Sequence, residues 1–163
     1  MTVNELQTIA QRLTQKGLTI SLAESCTGGL VSKLLTDLPG SSAYYKYGVV
    51  AYSNEAKVRL LGVKEETLAA YGAVSSETAA EMSQGIRSTG NSSIGIGITG
   101  IAGPDSDNTL KPVGLIYISL SADGFLDTRE FRTSFVGDVR SSNRNFAADA
   151  ALKMLAEYLN RLS

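Results

Sequence analysis

The chain has 163 residues, enough for one domain with a full core, and sets 15 basic against 16 acidic residues for a net charge of −1. That balance, with neither sign gathered into a long run, gives no electrostatic footprint for nucleic acid, and no apolar stretch approaches the ~18 residues that cross a bilayer. One cysteine leaves no internal disulfide, and Met1-Thr2-Val3-Asn4-Glu5 lacks the basic and apolar regions of a signal peptide, so the expectation is a single domain over 1–163, cytoplasmic, with no membrane or nucleic-acid partner.

Leu6, Ile9, Ala10 and Leu13 fall at helical spacing between Asn4 and Lys16, with Gly17 as the stop. Leu18 to Leu22 alternates like a strand, and Gly28 to Leu38 reads as a helix ended by Pro39-Gly40. Tyr47 to Ser53 is a second strand, followed by a short helix through Leu61 with Asn54 as its N-cap. Helices follow over Lys64–Tyr71 and Ser76–Thr89, the second capped by Ser75. Ser93 to Thr99 is a strand with Ile on one face and Gly on the other, so a helix or a ligand must pack closely on the Gly face. Gly114–Ala122 and Asp127–Phe135, joined at Asp123-Gly124, form a hairpin, and a helix from Ser141 to Leu162 closes the chain. The expected fold is a three-layer α/β/α arrangement with a mixed, mainly parallel sheet, a C-terminal hairpin and a closing helix.

Two glycine-bearing turns follow strands, at Ala23-Glu24-Ser25-Cys26-Thr27-Gly28-Gly29 and at Thr99-Gly100-Ile101-Ala102-Gly103, and in such sheets ligands gather at the carboxyl ends of strands. The first turn places Ser25 beside Cys26, yet the chain contains no histidine. A Ser-His or Cys-His pair is therefore excluded, leaving Lys, a carboxylate, Tyr or a metal-bound water to activate a nucleophile. Without His and with a lone Cys, a transition-metal site is disfavoured, and no compact Asp cluster suggests a calcium or magnesium site. Lys57, in the first turn of a helix beside apolar strands, is the candidate base, and Tyr52 at a strand end is a candidate partner hydroxyl. Each has a plainer reading: the glycines as a tight turn, Ser25 and Thr27 as caps, Cys26 as a small core residue, Lys57 as a solvated side chain. Arg140, Arg144 and Asn145 could hold a phosphate or carboxylate, but by pattern alone they read as solvent-facing.

Ala23 to Gly29, Val-Ala-Tyr-Ser-Asn-Glu-Ala-Lys at 50–57, Gly-Ala-Val-Ser at 72–75, Gly-Ile-Thr-Gly-Ile-Ala-Gly-Pro at 97–104 and Lys-Pro-Val-Gly at 111–114 together resemble the CinA C-terminal-domain family, in order and over nearly the whole chain. The N-terminal domain of full-length CinA proteins has no counterpart in this sequence. The resemblance implies a nicotinamide-nucleotide amidase: nicotinamide mononucleotide and water give nicotinate mononucleotide and ammonia, in pyridine-nucleotide recycling, with no cofactor and no metal. It implies Ser25 as nucleophile, Lys57 as base and Tyr52 as their associate. Substrate binding is expected from Glu24, Cys26, Thr27, Gly28, Gly29, Thr99, Gly100, Gly103, Arg144 and Asn145. The sequence departs from the family at Asp105-Ser106-Asp107-Asn108, where many relatives are glycine-rich, and at Asn145, where Gln is commoner. The competing expectations are a catalytically silent homologue that binds a nucleotide-like ligand or serves as an interaction module, and an amidase for another small amide. A symmetric homodimer is expected for an enzyme of this size.

Overall fold

The computed structural model describes residues 1–163. Its first helix, α1 (Val3–Gln15), opens with a capping box between Thr2 and Glu5 and buries Leu6, Ile9 and Leu13. The chain continues through β1 (Ile20–Glu24), α2 (Leu30–Thr36), a 3-10 turn at Ser41–Ala43, β2 (Tyr45–Val50), α3 (Asn54–Leu61), α4 (Glu65–Tyr71) and α5 (Ser76–Gly90). It then forms β3 (Ile94–Gly100), the hairpin β4 (Leu115–Ala122) and β5 (Phe125–Arg132), and closes with α6 (Val139–Arg161). No helix is long and apolar enough to cross a membrane.

The five strands form one sheet in the order β2-β1-β3-β4-β5, parallel along β2-β1-β3 and antiparallel along β3-β4-β5. Four of the five strands therefore run the same way, so the sheet is mixed but mainly parallel in direction. From β1 the chain passes first to β2 on one side and later to β3 on the other, which makes the carboxyl ends of β1 and β3 the switch point where such sheets hold ligands. Helices α1, α2 and α6 cover one face; α5 covers the other, with α3 and α4 packed outside it.

Three strands lie differently from their sequence reading, among them β5, which runs Phe125–Arg132 where Asp127–Phe135 is expected because it pairs with β4 from the turn onward, Phe125 opposite Ala122. β1 begins at Ile20 because Leu18 N–H bonds Leu13 O and completes the end of α1, and it runs on to Glu24 between two neighbours. β2 is displaced towards the N-terminus, and Ser53, not Asn54, caps α3, its hydroxyl accepting the Ala56 N–H at 3.1 Å. The Gly face of β3 is filled by a helix, not a ligand: a Cβ at Gly95 would lie 2.2 Å from the Ser83 carbonyl oxygen in α5.

Gly85 allows a second close approach, between α5 and α3. A Cβ there would lie 1.8 Å from the Leu61 carbonyl oxygen, and backbone cannot yield without moving α3. Gly85→Ala gains roughly 1 kcal/mol in helix propensity, but overpacking against backbone costs about 1–3 kcal/mol. A net destabilisation of up to about 2 kcal/mol is the expected outcome in urea denaturation.

Candidate active site

Alternation along β1 sends neighbouring residues to opposite faces of the sheet. Ile20 and Leu22 join the core under α1, α2 and α6, whereas Ala23 joins the smaller core with Leu61, Met82 and Ile86 on the α3/α5 face. Glu24 continues the first series and Ser25 the second. The carboxylate of Glu24 accordingly meets the start of α2, where it accepts the N–H groups of Gly29, Val31 and Ser32 at 3.2, 3.1 and 2.8 Å and the Ser32 hydroxyl at 2.7 Å. Gly29, the N-cap, has no side chain to do this and adopts φ 98°, so a carboxylate from the preceding strand caps the helix and opposes its positive end.

The turn between them is held by its other atoms as well. Ser25 N–H bonds Ile98 O at 3.0 Å, extending the β1–β3 ladder, and Gly28 N–H bonds Ser25 O at 3.0 Å. Gly28 and Gly29 both have positive φ, which L side chains rarely adopt. From α6, Arg144 donates Nε to Cys26 O at 3.2 Å and Nη2 to Thr27 O at 3.1 Å. These bonds leave the N–H groups of Cys26 and Thr27 as the donors of the turn without a protein acceptor.

Lys57 enters from α3. Its side chain is 1% exposed, and its Nζ lies 3.2 Å from Ser25 Oγ, 3.0 Å from Ala51 O and 3.2 Å from Tyr52 O, with no carboxylate paired to it. Burial disfavours the ammonium and lowers the Lys57 pKa to about 8. Burial pushes the adjacent Cys26 thiol the other way, up to about 12, so Cys26, which also lines the cavity, is held as the neutral thiol. The resulting group, a serine hydroxyl against a buried amine with a depressed pKa, has the composition of a nucleophile and its base.

Ser25 and Lys57 line a cavity of about 240 Å³ together with Thr99, Gly100, Gly103 and Arg140. A larger cleft of about 670 Å³, bordered by Arg87, Asn91 and Leu126 at the other end of β3, contains no nucleophile and base pair. No cluster of three metal-ligating side chains occurs in the chain.

A family model for the CinA C-terminal domain matches residues 4–159. The chain belongs to that family. It is 50% identical over 154 residues to a CinA-like protein of Syntrophomonas wolfei and 48% identical over 153 residues to one of Chloroherpeton thalassium. Those alignments take in 94% and 93% of this chain and 36% of each relative, so the chain spans about a third of the length of these curated relatives. Among solved structures, the competence/damage inducible protein CihA of Agrobacterium tumefaciens superposes with a TM-score of 0.86 at 38% identity, covering 98% of this chain and 99% of that one.

Within this CinA domain several expected substrate ligands have other partners. Glu24 caps α2 and Arg144 grips the serine turn, so both shape the site from behind it. The Thr99 hydroxyl donates to Ala73 O at 2.8 Å, tying the end of β3 to the 72–75 loop. Asn145 is exposed and outside the cavity; helical rotation instead buries Asn143, which donates to Ala102 O at 3.0 Å. The Tyr52 carbonyl faces Lys57, while its phenol, on a residue 58% exposed, accepts from Arg140 Nη2 at 2.9 Å. Arg140, which reads as solvent-facing in the sequence, is at the cavity, and the i, i+3, i+4 spacing of Arg140, Asn143 and Arg144 is the signal that marks one inward helix face.

Replacing Glu24 by Ala removes the acceptor from three backbone donors and a hydroxyl, and a loss of at least about 2 kcal/mol is expected in denaturant titration. Amide exchange at Val31 and Ser32 should accelerate with it. Glu24→Gln, which keeps one acceptor oxygen, should lose less.

Proposed function

We propose that this chain is an amidohydrolase that converts nicotinamide mononucleotide and water to nicotinate mononucleotide and ammonia, acting in cytoplasmic pyridine-nucleotide recycling. The observation that carries the reading is the buried Lys57 amine at 3.2 Å from Ser25 Oγ. A neutral amine has two N–H donors and one lone pair. Ala51 O and Tyr52 O are pure acceptors and take the two donors, which turns the lone pair to the Ser25 hydroxyl.

In that state Lys57 removes the Ser25 proton as Oγ attacks the carboxamide carbon. The N–H of Cys26, the residue after the nucleophile and one that lines the cavity, is the donor for the oxygen that becomes negative, and a donor of this kind typically contributes about 10²–10³ in turnover. Collapse of the tetrahedral adduct breaks the C–N bond, and the Lys57 ammonium gives its proton to the departing nitrogen, releasing ammonia. Water then attacks the Ser25 ester, passing one proton to Lys57; the acid leaves and Ser25 recovers its proton. The family match and the order of the matched motifs support the assignment of the substrate, while the Ser-Lys geometry supports the reaction type.

Ammonia release measured with nicotinamide mononucleotide, and with nicotinamide as a second amide, tests the proposal. Ser25→Ala and Lys57→Met should each lower kcat by at least about 10³-fold; turnover by Ser25→Ala at the wild-type rate overturns the assignment. Binding without turnover in the wild-type chain would mark a catalytically silent homologue instead.

Only neutral Lys57 can accept the serine proton, and protonation dominates below its pKa of about 8. The kcat/KM profile should therefore fall as pH drops through about 8 and level off above it. A profile flat from pH 6 to roughly 9 would remove Lys57 from the role of base.

A further inference from the structure

Arg140 stands where substrate enters, and nothing in the Ser-Lys chemistry uses it. It lies in the first turn of α6, exposed where it lines the cavity, with Nη1 donating to Gly103 O at 2.7 Å and Nη2 donating to the Tyr52 hydroxyl at 2.9 Å. Both acceptors are neutral, and Arg140 takes part in none of the chain's ion pairs. Of the five N–H groups of a guanidinium, these two bonds leave three without a protein acceptor. The contacts fix the plane of the fork across the cavity, between the loop carrying Tyr52 and the loop carrying Gly103, while leaving its charge unmatched.

The neighbouring acids do not neutralise it. Asp138, two residues earlier, accepts the Ser141 N–H at 3.2 Å as the cap of α6. Asp107 is turned onto its own loop, accepting the Thr109 N–H at 3.2 Å. Asp105 also lines the cavity and is exposed, without an ion pair to Arg140. Lys57, the other cation of the cavity, is enclosed by Ser25 and two carbonyls. Arg144, the other arginine near the turn, has two of its nitrogens bonded to Cys26 O and Thr27 O. An anionic group entering this cavity therefore meets one oriented, unmatched cation.

We infer that Arg140 is the specificity-determining residue that recognises the phosphate monoester of the substrate, and that the Tyr52 phenol is a positioning group which orients that guanidinium and takes no part in proton transfer. The inference rests on the amidase reading of the site. A phosphate dianion offers several oxygens to a planar fork, and charge-assisted bonds of this kind are the strong ones. Arg140 thereby separates a nucleotide from the same amide lacking phosphate, at a distance from the bond that breaks.

The test compares nicotinamide mononucleotide with nicotinamide riboside, which differ only in the phosphate. The ratio of their kcat/KM values should fall by about 10–100-fold in Arg140→Gln, the equivalent of one charge-assisted contact. Arg140→Lys, which keeps the charge and loses the fork, should lie between, and it is the variant to read if Arg140→Gln does not fold. Tyr52→Phe should lower the ratio by a smaller factor. Arg144→Gln, acting through the serine turn on both substrates alike, should leave the ratio in place. An unchanged ratio in Arg140→Gln, or a collapse in Arg144→Gln alone, overturns the inference. If the wild-type chain hydrolyses neither compound, calorimetric binding to Ser25→Ala protein decides: tighter binding of the mononucleotide than of the riboside that disappears with Arg140→Gln sustains it, and equal affinities overturn it.

Discussion

A lysine amine buried without a counter-ion is the constraint around which this domain is arranged. Removing an ammonium from water is costly, and the usual relief, a paired carboxylate, is missing at Lys57; the group meets two backbone carbonyls and a serine hydroxyl instead. The balance therefore shifts towards the neutral amine, which is the form that can accept a proton. A salt-bridged lysine at the same distance would be held in its charged form and would have no lone pair to offer.

Keeping that amine in place depends on how α3 is fixed. Ser53 caps its start, Gly62 ends it with positive φ, and Gly85 lets its last carbonyl sit directly on α5. The glycines of β3 let α5 in turn lie close to the sheet. These close approaches set how far the end of β1 lies from Lys57, so the Ser-Lys contact is a result of backbone packing on the α5 face as much as of the two side chains.

The serine turn is held by two charges that never meet each other. Glu24, behind the turn, collects backbone N–H groups; Arg144, from α6, collects backbone carbonyls. Each satisfies atoms that the left-handed Gly28-Gly29 conformation would leave unpaired, and together they leave the Cys26 and Thr27 N–H groups open. Opposite charges used this way pre-organise a turn without the desolvation penalty of a direct buried ion pair. Neither Arg144 nor Arg140, one helical turn before it, has a carboxylate partner, but Arg140 lines the cavity and Arg144 does not, and that difference separates a supporting arginine from one that faces substrate.

Element order, fold class and the serine turn are legible in the residues because they depend on local periodicity and on turn chemistry: Ile/Gly alternation in β3, the heptad-like apolar face of α6, and Gly28-Gly29 after an apolar strand. Strand ends are less so, since pairing partners decide where β1 and β2 stop, and the capping of α3 moved by one residue to Ser53 for the same reason. The absence of histidine narrows the chemistry to a serine with an unusual base, but the sequence places Lys57 near Ser25 only through family resemblance. Tertiary structure alone determined the rest. Whether Lys57 is dry, whether Glu24, Thr99 and Arg144 face substrate or backbone, and which of Arg140 and Arg144 lines the cavity all depend on contacts between residues far apart in the chain, where burial and hydrogen-bond partners are set by packing and leave no local pattern.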